Sequence, residues 1–183
     1  MRWIAPPGVQ ESVLARAARI KLAVFDVDGV LTDGRLCYGA NGEETKTFNT
    51  LDGHGLKMLQ ESGVELAIIS GRSSDALARR AKDLRITQLF MGVPGKREVF
   101  DHLLKSLSLG AADAAGLGDD VVDLPFLTRC GFAACVPAAP RYMKEHVHYV
   151  TEAEGGHGAV REFCELIMHA QGTLDAALKK FLE

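Results

Sequence analysis

The chain has little of what marks secreted, membrane-spanning or nucleic-acid-binding proteins. Its four cysteines, Cys37, Cys130, Cys135 and Cys164, form no CxxC pair. They read as small reduced hydrophobes, not as a disulfide framework or a zinc site. No run approaches the ~18 apolar residues of a membrane span. The opening segment Met1–Gly8 has no continuous apolar stretch of secretory length, so the cytoplasm is the expected location. There is no excess of base: 21 Lys and Arg face 24 Asp and Glu, and a net charge of −3 gives no general attraction to nucleic acid or an anionic membrane. Internal repeats, low-complexity segments and obvious linkers are also missing. What remains is 183 residues, 47% hydrophobic and 25% charged, which suits one globular domain with a sizeable core.

Apolar runs alternate with helical patterns, the signature of a parallel sheet wrapped by helices. Core strands are expected at 22–25, 64–69, 88–91, 114–117 and 131–136, with a short sixth at 148–150. Helices are expected at 10–19, 53–62, 74–84, 96–107, 160–170 and 173–182. Asn41-Gly42, flanked by strand-forming residues, signals a hairpin, because a tight turn of that kind needs positive φ.

The most informative stretch is Asp26-Val27-Asp28-Gly29-Val30, directly after the apolar run Leu22-Ala23-Val24-Phe25. Two carboxylates at the end of a buried strand repel each other and must be desolvated, so a cation or a reaction is needed to keep them. Polar residues also follow the other strands: Ser70-Gly71-Arg72, Lys96, and Gly118-Asp119-Asp120 with Asp123. In a doubly wound, Rossmann-like sheet these segments share the edge where ligands bind. Several carboxylates suit a hard divalent cation, magnesium foremost, while a lysine, a hydroxyl and a helix N-terminus suit phosphate. Together they point to metal-assisted phosphoryl transfer.

The order and wording of these motifs resemble the haloacid dehalogenase superfamily of phosphohydrolases. The resemblance implies that Asp26 is the nucleophile and Asp28 the acid and base. It implies that Mg2+ is held by the Asp26 side chain, the Asp28 backbone carbonyl and Asp119. Ser70 and Lys96 would bind phosphate, and Asp120 and Asp123 would orient the metal shell and Lys96. Many relatives insert a cap domain. The short intervals 29–69 and 71–95 leave no room for one, so residues 1–183 are expected to form a single capless domain. It would carry a projecting hairpin flap at about 34–49 and a C-terminal tail at about 155–183.

A closer resemblance is to the 3-deoxy-D-manno-octulosonate 8-phosphate phosphatases. It rests on Asp33-Gly34 through the hairpin, on 48–55, on Ser70-Gly71-Arg72 and on the tail 155–162. It implies substrate contacts from Asp28, Asn49, Thr50, Leu51, Asp52, Gly53, Lys57, Arg72, Arg80 and Lys96, with Arg161 a possible tail contact. It further implies a homotetramer with hairpins around the assembly axis, a tail reaching a neighbour's site as a lid, and a place in lipopolysaccharide biosynthesis. An arginine fork near a phosphate and a sugar-acid carboxylate is physically sensible.

Plainer readings stand beside these. Asp120 also suits the cap of a helix beginning near Val121. Arg80 suits helix surface, and the tail glycines suit a loop before a helix. The hairpin flanks Leu36, Tyr38 and Phe48 need burial, which favours an interface. Two other functions compete. One is a phosphatase for a nine-carbon sialic-acid-type 9-phosphate. The other is a phospho-receiver module, although receivers place the phosphorylated aspartate after a central strand rather than in a leading DxD.

Overall fold

Leu22–Phe25 (β1) is a wholly buried strand inside a six-stranded sheet. In the computed structural model, residues 9–182 are described, so the opening segment Met1–Gly8 lies outside the described residues. The other strands are Cys37–Tyr38 (β2), Glu44–Thr45 (β3), Glu65–Ile69 (β4), Gln88–Phe90 (β5), Ala114–Gly118 (β6), Phe132–Cys135 (β7) and Tyr149–Val150 (β8). The helices are Glu11–Ala17 (α1), Thr50–Glu61 (α2), Asp75–Asp83 (α3), Lys96–Ser106 (α4), Leu124–Leu127 (α5), Arg141–Lys144 (α6), Ala159–Ala170 (α7) and Leu174–Lys179 (α8).

The main sheet runs β5-β4-β1-β6-β7-β8, and every pairing in it is parallel. From β1 the chain winds outward through β4 to β5, then returns to the other side of β1 at β6. The winding therefore reverses between β1 and β6, and an open parallel sheet forms its ligand crevice at that point. Strands covered on both faces read as unbroken apolar runs, as Leu22–Phe25 does. Phe163 of α7 packs on Phe25 and Phe132 of the sheet, with ring centroids 5.8 and 5.2 Å away.

Several boundaries depart from expectation for local reasons. α2 begins at Thr50, not near Gly53, because Asn49 caps it by accepting the Leu51 N–H at 2.8 Å. Gly53 and Gly55, poor helix formers, hide that start in the sequence. No helix begins near Val121; turns cover 121–123 and α5 starts at Leu124. The hairpin pairs Cys37 with Thr45 and Tyr38 with Glu44. Its loop is longer than a two-residue Asn-Gly turn: the Gly39 N–H donates to the Glu43 carbonyl at 2.8 Å, and Gly42 alone carries the positive φ, +85°. That is a type I turn closed by a left-handed glycine.

Within the expected tail, the helix expected at 160–170 is present. Residues 159–170 are α7, whose Val160, Phe163, Cys164, Leu166, Ile167 and Met168 are buried in the chain's own core. A core helix cannot serve as a free lid. Beyond it, α8 packs on α7, and the residues that follow reach α2, where Phe181 meets His54 at 5.2 Å between centroids.

Candidate active site

Asp26 follows β1, Ser70 follows β4, Lys96 opens α4 after β5, and Asp119 follows β6. All four line a cavity of about 650 Å3, together with Asp28 and Arg72. The loop after β1 must pass close to the loop after β6. A Cβ at Gly29 would fall 2.1 Å from Asp119 Oδ2, and Gly29 has φ +90°, so only glycine fits.

Three carboxylates, from Asp26, Asp119 and Asp123, each offer an oxygen within 4.8 Å of the others. Asp123 is fully buried. Its Oδ1 accepts from Lys96 Nζ at 2.5 Å, and its Oδ2 accepts the Asp119 N–H at 2.9 Å and the Asp120 N–H at 3.4 Å. Both of its oxygens are thus engaged by the protein. Lys96, itself buried, also donates to Asp26 Oδ1. Asp26 and Asp119 are left as the members of the trio with oxygens to offer a cation.

The electrostatics fit that vacancy of charge. Burial, then the neighbouring Asp123, raises the Asp26 pKa to about 6, against the pull of Lys96. Burial, then the charges of Asp26, Asp123 and Asp120, raises Asp119 to about 8. Burial alone would lower Lys96, but Asp26 and Asp123 outweigh it and hold the amine protonated. One lysine among crowded acids leaves negative charge uncompensated, and an oxygen-rich donor set of this kind fits Mg2+.

Asp28 belongs to a second charge cluster. Its carboxylate turns away from the trio: Oδ1 accepts from Lys46 Nζ, while Oδ2 lies 3.7 Å from Arg72 Nε. Lys46 also pairs with Glu44 at 2.9 Å. Arg72 donates to Glu44 and, at 2.9 Å, to the Tyr38 hydroxyl. The Arg72 N–H meets Ser70 Oγ at 3.2 Å. Sequence reasoning missed Lys46, Glu44 and Tyr38. The signal was the alternation Glu44-Thr45-Lys46, which sends both charged side chains to one face of a strand.

Other expected site residues sit elsewhere. Asp120 Oδ1 accepts the Val121 N–H at 2.7 Å and the Tyr142 hydroxyl at 3.3 Å, whereas Lys96 is held by Asp26 and Asp123. Asn49 caps α2 and donates to the Gly156 carbonyl at 3.1 Å. Thr50, Leu51 and Lys57 are exposed on α2, and Gly53 is buried. Arg80 donates to the Asn49 carbonyl at 3.0 Å and lies over the Phe48 ring. Asp52, 1% exposed, accepts the backbone N–H groups of Arg161 and Gly158 at 2.9 and 3.4 Å. That geometry ties down the start of α7 and leaves no free oxyanion for a ligand. Arg161 itself pairs with Glu165 at 2.5 Å. Within one chain, then, the cavity gathers Asp26, Asp28, Ser70, Arg72, Lys96 and Asp119, while 49–53, Lys57 and Arg80 are not among the residues that line it.

No protein-family model matches the chain. Individual relatives do. The 3-deoxy-D-manno-octulosonate 8-phosphate phosphatase of Escherichia coli K12 is 41% identical over 169 residues, 92% of this chain and 90% of the relative. A crystal structure of a probable YrbI family phosphatase from Pseudomonas syringae pv. phaseolica superposes with a TM-score of 0.94 at 54% identity, covering 95% of this chain and 99% of that one. The 3-deoxy-D-manno-octulosonate 8-phosphate phosphatase from Moraxella catarrhalis, solved with magnesium, phosphate and the free sugar acid, gives 0.92 at 41% identity over 94% and 99%. Likeness of that degree runs the length of both chains and includes the sheet and its crevice, and so this chain belongs to the haloacid dehalogenase superfamily, in its family of 3-deoxy-D-manno-octulosonate 8-phosphate phosphatases.

Proposed function

We propose that the chain hydrolyses 3-deoxy-D-manno-octulosonate 8-phosphate to the free sugar acid and inorganic phosphate, with Mg2+, in lipopolysaccharide biosynthesis. The observation that carries this reading is the buried Asp26–Lys96–Asp123 triad beside Asp119 at the floor of the cavity, in a chain whose relatives carry that activity by name.

The chemistry follows from the residues. Asp26 attacks phosphorus, the bond to the sugar oxygen breaks, and Asp28 gives that oxygen its proton. Asp28 then takes a proton from water, which cleaves the acyl phosphate on Asp26 and releases phosphate. Lys96 keeps Asp26 ionised and, with Ser70, faces the non-bridging oxygens. Asp123 acts through Lys96, holding its ammonium by a fully buried ion pair. Magnesium, which Asp26, Asp119 and the Asp28 carbonyl would hold, would supply positive charge against the negative charge on the phosphoryl oxygens. Arg72, half-exposed at the cavity edge, offers its fork to the sugar-acid carboxylate.

A homotetramer packed through the hairpins belongs to the same reading. Leu36 and Tyr38 are 46% and 57% exposed there, and a neighbouring chain would cover them. Sedimentation or light scattering measures the state directly. Four free cysteines suit a cytoplasmic location. No helix among the described residues is long and apolar enough to cross a membrane.

The test is phosphate release from a panel of sugar phosphates, with magnesium and with chelator. Strong magnesium-dependent preference for the eight-carbon ester supports the reading. Preference for a nine-carbon 9-phosphate would reassign the substrate, and no turnover of any ester would overturn the function.

A further inference from the structure

The first motif holds two acids, and each has its own lysine. Lys96 serves Asp26 and Asp123 from the sheet edge. Lys46 serves Asp28 and Glu44 from the hairpin. Lys46 sits on a short exposed ribbon, yet its side chain is only 2% exposed. A hairpin lysine ordinarily keeps its ammonium in water, and burying it costs energy unless carboxylates surround it. Here two do. Of the Asp28 oxygens, Oδ1 is the one Lys46 engages, and Oδ2 is the one toward Arg72, which lines the cavity. Lys46 is not part of that lining. Its ammonium thus engages Asp28 from outside the set of residues that line the cavity.

We propose that Lys46 is a positioning residue for the acid–base aspartate: by anchoring Oδ1 of Asp28 it fixes the side chain so that Oδ2 meets the leaving oxygen. The inference rests on the phosphatase reading above, with Asp28 as the acid. A carboxylate with one anchored oxygen keeps a single rotamer, and a general acid acts only from hydrogen-bonding distance of the leaving atom. The anchor comes from the hairpin, so the same contact ties the flap to the catalytic loop. Glu44 completes the tie. It bridges Lys46 to Arg72, and Arg72 reaches back to Asp28. The result is a closed ring of four alternating charges spanning β3, the loop after β1 and the loop after β4.

The chemistry predicts a distinctive signature. Leaving oxygens that are strong bases need the proton from Asp28; stabilised phenolates need it far less. Loss of the anchor should therefore steepen the dependence of kcat/KM on leaving-group pKa.

The experiment compares wild type with Lys46→Met and the milder Lys46→Gln over a series of aryl phosphates, from 4-nitrophenyl to unsubstituted phenyl, and over the sugar phosphate, all with magnesium. Thermal unfolding is measured in parallel. For the variants, kcat/KM should fall about 10- to 100-fold on the sugar ester, a part of what a placed general acid contributes. It should change little on the nitrophenyl ester, and the slope across the series should steepen. An equal loss on every ester would show a structural role and overturn the proposal. So would a loss confined to the sugar ester with an unchanged slope, which would make Lys46 a sugar contact. Failure of both variants to fold would assign Lys46 to stability and overturn it too. If wild type turns over none of the esters, the phosphatase reading itself fails, and that outcome is visible before any variant is compared.

Discussion

Asp52 and Arg161, 109 residues apart in sequence, are joined by a 2.9 Å hydrogen bond in which the Arg161 backbone N–H donates to the Asp52 carboxylate. The bond links the first turn of α2 to the first turn of α7, the two helices that pack most extensively on each other. Burial raises the Asp52 pKa while the N–H groups of Arg161 and Gly158 oppose the rise, as expected for a carboxylate spent on a helix start.

Asp52→Ala should therefore act on stability and spare the chemistry. Losing a buried helix cap costs about 1–2 kcal/mol, or roughly 3–6 °C in Tm for a domain of this size. KM for the sugar phosphate should stay at the wild-type value. A raised KM with unchanged Tm would return Asp52 to the substrate.

Truncation separates tail from core. A chain ending at Glu154 lacks α7 and its buried face, and should not fold. A chain ending at Gly172 lacks α8 and the last residues, and should fold. If α8 and its end serve as a lid in a neighbouring site, that shorter chain should lose more kcat/KM on the sugar phosphate than on a small aryl phosphate. Equal effects on both, in an intact oligomer, would remove the lid.

The sheet and its strand-end acids were legible because the physics is local. Leu22–Phe25, an unbroken apolar run before a turn, reads as a buried parallel strand, and acids directly after such strands share one edge. Order along the chain then sufficed to bring Asp26, Ser70, Lys96 and Asp119 together. The flank was harder to read. Asp52 looked like a ligand group because its partners, the N–H groups of Gly158 and Arg161, belong to a helix over a hundred residues away. Lys46 was missed because the alternation Glu44-Thr45-Lys46 puts two charges on one face without showing that their partner is Asp28, 18 residues earlier. The helix expected at 160–170 is α7, whose apolar stripe was legible; that its buried face belongs to this chain's own core was not.

Stability should depend on pH in a direction set by the crowded acids. Asp26 and Asp119, at about 6 and about 8, sit above their ordinary value of 3.8. The native state therefore keeps protons that the unfolded chain has released, and the metal-free protein loses stability as pH rises from about 4 through about 8. Magnesium favours the ionised acids, so its stabilising effect should grow over the same range. Tm measured with chelator and with magnesium across pH checks this; a magnesium effect independent of pH would contradict it. Asp119→Asn should raise the metal-free Tm at alkaline pH and abolish the response to magnesium.

Arg72→Ala should weaken recognition of the sugar acid. A charge-assisted hydrogen bond is worth about 1.5–3 kcal/mol, so kcat/KM for the sugar phosphate should fall about 10- to 100-fold. Aryl phosphates, which carry no carboxylate, should be affected less. Equal losses would show that Arg72 serves Asp28 alone.

The most direct test is to stop the reaction with acid within one turnover and locate phosphate on the protein by mass spectrometry, using wild type, Asp26→Asn and Asp28→Asn with magnesium and the sugar phosphate. The account predicts a phosphoryl group on the peptide carrying Asp26 in wild type and none in Asp26→Asn, which should also lose turnover while keeping its fold. Phosphate found on another residue, or full turnover by Asp26→Asn, would contradict it.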